Sequence, residues 1–345
     1  MAAYRVGIIG CGRPHRAPGA TGSGQAHRHA LGYKASPDAQ IVALADIVLE
    51  NAQAFQAEHG GERVYQDYRE MLAKEALDIV SICTWPHLHA PMVIAAAEAG
   101  VKAILCEKPM ALTFGDAKRM VEVCERAGAQ LSFSHQRRFG VPFRKAKELL
   151  KSGAIGQLTR LEAMCSNLYD WGTHWFDMMF FYNDETPAEW VIGQIDLRGT
   201  RTVFGAPCEG QGLSHFKFRN GVRGLMVTGY EAEIGAQNRL VGTEGTIEVG
   251  VTGGPPLRVR GRGQGDWEVI PADEGLHALE AFQRAVLDVI DALKHQREPE
   301  LSGRRALQAT ELIFATYESS RRRARVDLPL DIEDSPLQAL LNEAS

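Results

Sequence analysis

Val6-Gly-Ile-Ile-Gly10-Cys-Gly12 is the stretch whose reading decides the fold. An apolar run passes straight into closely spaced glycines, the pattern of a short buried strand entering a tight turn. Gly10 makes the turn, and Gly12 lets backbone N–H groups approach a pyrophosphate at the N-terminus of the next helix. The third glycine of such a turn is due three residues later. Here eleven residues, Arg13 to Ser23, intervene before Gly24-Gln-Ala-His27. They read as an insertion in the phosphate turn. Its Arg13, His15 and Arg16 either touch phosphate or cover the active site, or else belong to an exposed loop.

Working outward, short apolar runs at Arg5–Gly10, Gln40–Asp46, Leu77–Thr84, Lys102–Cys106 and Gln130–Ser134 alternate with helical periods. The helical periods lie near Gly24–Ala35, Leu49–Glu58, Asp67–Lys74, Leu88–Ala99 and Phe114–Ala127. Strands apolar on both faces in alternation with helices predict a parallel, doubly wound sheet that binds ligands at the carboxyl ends of its strands. After Ser134 the rhythm changes. A helix near Pro142–Lys151 leads to Leu158–Cys165 and then to short runs from Trp190 to Val259, separated by turns such as Asn220-Gly221 and Gly253-Gly-Pro-Pro256. That pattern predicts a predominantly antiparallel sheet. Two helices close the chain, one through Leu279, Phe282, Val286 and Ile290 and one through Ala306, Ala309, Ile313 and Tyr317. The expected division is a dinucleotide-binding domain over 1–135 and an α+β domain over 136–345, with the closing helices able to pack back on the first domain.

Composition agrees with a two-domain chain and excludes several alternatives. The chain has 345 residues, 45% of them apolar and 23% charged, enough for about two cores and too apolar for a disordered chain. Lys+Arg number 38 against 43 Asp+Glu, a net charge of −5, so no global positive field draws nucleic acid. Arg321, Arg322, Arg323 and Arg325 end the last of these helices, where they complement its dipole. The longest uncharged stretch, Ile79–Ala97, carries Ser81, Thr84, Pro86, His87, His89 and Pro91 and is a poor membrane span. Met-Ala-Ala-Tyr-Arg enters a strand at once and leaves no room for a signal peptide, so the cytoplasm is the expected compartment. The six cysteines form no C-x-x-C pair and no zinc spacing, so buried free thiols and no metal are expected.

Three groups carry chemistry. Asp46 ends the second strand, where an acidic residue accepts hydrogen bonds from the adenosine ribose and repels a 2′-phosphate, favouring NAD over NADP. Cys106-Glu-Lys-Pro109 ends another strand at the ligand-binding edge, where Lys108 can stabilise the alkoxide character that develops as hydride leaves a carbinol carbon. In Asp170-Trp-Gly-Thr-His174-Trp-Phe-Asp177, a helix would align Asp170, His174 and Asp177 on one face. A carboxylate four residues before His174 orients an imidazole suited to general base work. Tyr169, Trp171 and Trp175 either stack on a sugar ring or simply pack.

These motifs, with Ala45-Asp46, Ala99-Gly100, Glu107-Lys108-Pro109, Arg137-Arg138-Phe139, Gly153-Ala-Ile-Gly156 and Val241-Gly-Thr-Glu-Gly245 in order, resemble the Gfo/Idh/MocA oxidoreductases along nearly the whole chain. The resemblance implies a Rossmann domain and an open-faced second sheet that commonly pairs with another subunit, hence a homodimer or homotetramer. It implies that Gly10, Cys11, Gly12, Asp46, Thr84, His89 and Glu107 surround NAD. It further implies that Lys108, Arg137, Asp170 and His174 meet the substrate, with Lys108, His174 and Asp170 catalytic. Two departures stand out. Thr84-Trp85-Pro86 replaces the usual Thr-Pro-Asn, and the insertion interrupts the glycine turn.

The expected activity is hydride transfer from a secondary hydroxyl of a sugar, cyclitol or sugar derivative to NAD. The alternatives are a redox-neutral lyase or glycosidase that recycles NAD, and a non-catalytic sensor of NAD and sugar. Specificity is expected around Arg137, Arg138 and Tyr230–Gln237.

Overall fold

The computed structural model describes residues 3–344 apart from 15, 16, 230, 231 and 233. The sequence positions His15, Arg16, Tyr230, Glu231 and Glu233, to which phosphate-turn or specificity roles were attached, lie outside the described residues.

Six strands form the first sheet: β1 (Tyr4–Ile9), β2 (Ala39–Ala45), β3 (Arg63–Tyr65), β4 (Ile79–Ile82), β5 (Ala103–Cys106) and β6 (Gln130–Phe133). The helices between them are α1 (Gln25–Lys34), α2 (Leu49–His59), α3 (Tyr68–Lys74), α4 (Pro86–Glu98) and α5 (Phe114–Ala127). Every strand pair is parallel and the order is β3-β2-β1-β4-β5-β6, so the winding reverses between β1 and β4. Such a reversal opens a crevice at the carboxyl ends of the strands. Val6, Ile8, Ile79, Val80, Ala103 and Ile104 are fully buried, as the apolar runs require of a covered parallel sheet. Short strand β3 was absent from the sequence reading because Arg63-Val-Tyr65 is too brief to show a period.

Next in the chain come α6 (Val141–Lys151), β7 (Leu158–Cys165), α7 (Gly172–Tyr182), β8 (Ala188–Asp196), β9 (Arg201–Val203), β10 (Ala206–Cys208) and β11 (Gln211–Phe218). They are followed by β12 (Arg223–Thr228), β13 (Ala236–Gly242), β14 (Gly245–Val251), β15 (Leu257–Gly261), β16 (Glu268–Val269), α8 (Leu279–His295), α9 (Gly303–Arg322), β17 (Val326–Asp327) and α10 (Pro336–Ala344). The nine-stranded sheet runs β16-β15-β14-β13-β7-β12-β11-β8-β17 and is antiparallel except at β12–β7. Alternation along β11 buries Ser214, Phe216 and Phe218 on one face. Phe176 and Phe180 of α7 meet Phe216 and Phe218 there, with ring centroids 5.8 and 5.4 Å apart, and Thr316 of α9 hydrogen-bonds Ser214 at 2.7 Å. Ile192 and Leu213 are 49% and 46% exposed on the opposite face. Across that face Arg239 pairs with Glu162 and Glu248, and Arg258 with Glu248, one charge per neighbouring strand.

The chain divides into two compact units: Met1–Leu112, Asp116–Gln136 and Leu279–Ala306, against Thr113–Gly115, Arg137–Ala278 and Leu307–Ser345. Helix α8 belongs to the first unit although it follows the second unit's strands. Its Val286 packs directly on α1 where Gly32 has no side chain: a Cβ there would stand 2.5 Å from Val286 Cβ.

Candidate functional site

In the first unit the site grows from the end of β1. Gly10 has φ +84°, and a Cβ there would stand 2.8 Å from Thr84 Cγ2 and 2.9 Å from the Cys83 carbonyl oxygen. Only glycine combines that backbone with that proximity. Asp46 closes the turn: its Oδ2 accepts from Gly12 N–H at 2.8 Å and its Oδ1 from Val48 N–H at 2.9 Å. Helix α1 begins after Gly24, itself left-handed at φ +65°, with no side-chain cap and no acidic residue in the first turn. An uncapped, positive helix end beside two left-handed glycines and an aspartate at the end of β2 fits a dinucleotide.

The Cys11 thiol is fully buried, as the cysteine pattern predicts, with Sγ 3.8 Å from the Ala45 carbonyl oxygen. Burial and the Asp46 charge push the thiol far above its usual range. Arg13 is bound within its own loop, its guanidinium donating to the Pro18 carbonyl at 2.6 Å.

Glu107 follows β5 and is buried, its Oε1 3.0 Å from His29 Nε2 and its Oε2 accepting from Lys108 N–H at 3.3 Å. His29 Nδ1 lies 3.1 Å from Ser81 Oγ, which in turn meets Tyr33 OH at 2.8 Å. Burial pushes the Glu107 carboxyl up, but the bond and charge of His29 and the charge of Lys108 outweigh it, and the net direction is down. Glu107 is therefore an oriented carboxylate, and Lys108 follows it through a cis peptide to Pro109. His89, expected at the cofactor, spends its ring on the protein: Nδ1 is 2.9 Å from the Pro109 oxygen and Nε2 3.1 Å from the Thr84 oxygen. It ties the Thr84 turn to the Glu-Lys-Pro turn. Thr84 directs its hydroxyl to Met92 Sδ at 3.4 Å. Trp85 precedes Pro86 at the start of α4 and is 39% exposed, so it fills no core gap.

In the second unit Asp170 lies outside the helix that the one-face alignment requires. Helix α7 starts at Gly172, because Asn167 Oδ1 accepts from the N–H groups of Asp170 at 2.7 Å and Trp171 at 3.2 Å and holds a turn there. Asp170 and His174 are both buried. Asp177 is committed elsewhere, to a two-point ion pair with Arg138 at 2.8 Å on each arm, with Glu185 on the same guanidinium. Both carboxylates hold the Arg138 guanidinium charged against its burial. Arg137 is buried over the Trp175 ring, 4.3 Å from its centroid, and 5.5 Å from that of Trp171. Burial brings its guanidinium down to about 10.

Sequence reasoning missed His29, Asn167 and Glu209. Glu209 is fully buried and accepts from Leu168 N–H at 2.5 Å, Thr228 Oγ1 at 3.0 Å and Tyr317 OH at 2.7 Å, bracing the turn before Asp170. Burial raises its carboxyl above the usual range. Asn167, three residues before Asp170, carried a local signal as a turn-forming side chain; His29 and Glu209 carried none, their partners being distant in sequence.

Residues 4–135 match the model of an oxidoreductase family with an NAD-binding Rossmann fold, GFO_IDH_MocA. Residues 4–135 are thus a Gfo/Idh/MocA NAD-binding domain. Among similar proteins, the D-apiose dehydrogenase of Paraburkholderia graminis is 29% identical over 94% of this chain and 90% of its own. The myo-inositol 2-dehydrogenase of Thermotoga maritima is 32% identical over 44% of this chain and 42% of its own. The WlbA dehydrogenase of Bordetella pertussis, solved with NADH and UDP-GlcNAcA, shares the fold at a TM-score of 0.75 and 24% identity, covering 95% of this chain and 100% of that one. Within that domain the sequence of the glycine turn carries eleven residues between Gly12 and Gly24. Among the described residues, no helix is long and apolar enough to cross a membrane.

Proposed function

We propose that this protein oxidises a secondary hydroxyl of a sugar, cyclitol or sugar derivative with NAD. The observation that carries the reading is Lys108 at the carboxyl end of β5, next to an ionised Glu107 fixed by His29, in a chain similar along its length to a sugar dehydrogenase. Bound NAD supplies the hydride acceptor. Gly10, Gly12 and the uncapped end of α1 would hold its pyrophosphate, and Asp46 its adenosine ribose. Glu107 lies beside the nicotinamide ribose in this reading.

Lys108 donates to the reacting oxygen and stabilises negative charge as it develops there. His174 accepts the hydroxyl proton, and Asp170 holds the hydroxyl and the imidazole. Arg137, fixed over two indole rings, presents substrate-facing charge, and Trp171 offers a half-exposed ring to a sugar. Function in the cytoplasm as a homodimer or homotetramer completes the reading. Support for pairing comes from the partly apolar outer face of the nine-stranded sheet.

The test is a panel of aldoses, glycosides and cyclitols read at nicotinamide absorbance, with NAD and NADP in parallel. One substrate class yields accumulating NADH, and Lys108→Ala and His174→Asn each lower kcat by about 10²–10³-fold while NAD affinity stays within about threefold. Full turnover by Lys108→Ala removes the mechanism, and turnover without NADH accumulation replaces dehydrogenation by a redox-neutral reaction.

A further inference from the structure

The crevice side of α1 and the end of α2 bring together a cluster that the NAD chemistry does not use. His27 of α1 and Glu58 and His59 of α2 offer ligand atoms that all lie within 4.8 Å of one another. His27 Nδ1 is 2.8 Å from His59 Nε2, 3.5 Å from one Glu58 oxygen, and His59 Nε2 is 3.3 Å from the other. We propose that these three side chains form a binding site for a divalent transition metal of the zinc class.

The spacing is what a tetrahedral ion needs. Ligand atoms about 2.0–2.1 Å from a tetrahedral centre stand roughly 3.3 Å apart. The nitrogen-to-carboxylate separations, 3.5 and 3.3 Å to the two oxygens of Glu58, lie close to that value, so a turn of the exposed carboxylate and a parting of the two nitrogens by about half an ångström complete the set. In the metal-free protein the nitrogens share a ring proton. An entering ion displaces it to the outer nitrogen of the same ring, a tautomer change in which both imidazoles stay neutral.

The donor set selects the ion. Two imidazoles and one carboxylate suit zinc and its first-row neighbours, whereas magnesium and calcium require an oxygen cage. Phe55 packs against both rings, at 4.9 Å from His27 and 4.5 Å from His59, and supplies an apolar wall. His27, Glu58 and Phe55 line a cavity of about 400 Å³, together with Gly12, Arg13 and Asn51. Three protein ligands beside an open space leave the fourth position to water or to a ligand atom entering from the cavity. The ion thus joins α1 to α2 beside Arg13, Pro14, Ala17 and Pro18. Sequence spacing gave no sign of it, because the histidines are separated by a whole β-strand and a helix.

The full chain, stripped with chelator and titrated with Zn²⁺ against a chromophoric chelator, is expected to take up one tightly bound equivalent. Mg²⁺ and Ca²⁺ should not compete. The Co²⁺-loaded protein should show the visible absorption of a tetrahedral site, and the thermal midpoint should rise with Zn²⁺ concentration. His59→Gln and Glu58→Gln should each weaken Zn²⁺ binding at least about tenfold and abolish the Co²⁺ spectrum. Glu58 is exposed, so its variant carries the test even if His59→Gln does not fold. No retained zinc, or zinc uptake unchanged in either folded variant, overturns the site. The latter result assigns the ion to other ligands such as the free cysteines.

Discussion

Glu107 shows how one buried carboxylate is kept charged. Taken alone, burial would protonate it; His29, itself held by Ser81 and Tyr33, reverses that outcome. The sign for stability follows. A carboxyl whose folded value lies below its ordinary one, about 4.5, contributes stability that is complete above the ordinary value and lost as pH falls through the folded value. Thermal melts taken from neutral pH down through this acid range should therefore fall more steeply for the wild type than for Glu107→Gln. Parallel slopes would show that the carboxylate is not stabilised by its neighbours. The same scale shows why side-chain roles were only partly readable. Asp46 and Lys108 sit at strand ends that local pattern reveals, whereas Cys11, His89 and Asp177 proved to be engaged inside the protein by groups far along the chain.

At the scale of elements, most helices and strands were legible because their apolar periods are strong. Helix α7 is the instructive exception. Asp170 and His174 have helical spacing, but Asn167 captures the two N–H groups that would begin the helix earlier. A side-chain acceptor outcompeted periodicity. The contact of α1 with α8 is equally specific, since Gly32 leaves room for the Val286 side chain. Gly32→Ala gains roughly 1 kcal/mol of helix propensity but forces a methyl into a branched side chain that cannot swing away, a clash costing about 1–3 kcal/mol. A lower thermal midpoint is expected, largely restored by adding Val286→Ala. A Gly32→Ala protein that melts above the wild type would show that α8 does not seat on that glycine.

On the scale of the whole molecule, the nine-stranded sheet keeps one face for α7 and α9 and leaves the other to Ile192, Leu213 and the Arg239–Glu162–Glu248–Arg258 ladder. Half-exposed apolar side chains beside ordered, partly buried charge suit a protein-covered surface more than a solvated one. In the proposed homo-oligomer, the double variant Ile192→Asp, Leu213→Asp is expected to give monomer in analytical ultracentrifugation with secondary structure retained. An unchanged mass would place subunit contacts elsewhere.

By itself the sequence determined the parallel dinucleotide fold, the change to an antiparallel sheet near residue 135, and the strand-end positions of Asp46, Glu107 and Lys108. Those follow from periodicity and glycine placement, which are local and leave their mark on consecutive residues. Tertiary structure alone decided that α8 returns to the first unit, that His29 orients Glu107, that Asn167 and Glu209 shape the turn at Asp170, and that His27, Glu58 and His59 converge. Each of these depends on groups brought together by the winding of the chain, and no local pattern encodes which distant partner a buried polar side chain will meet.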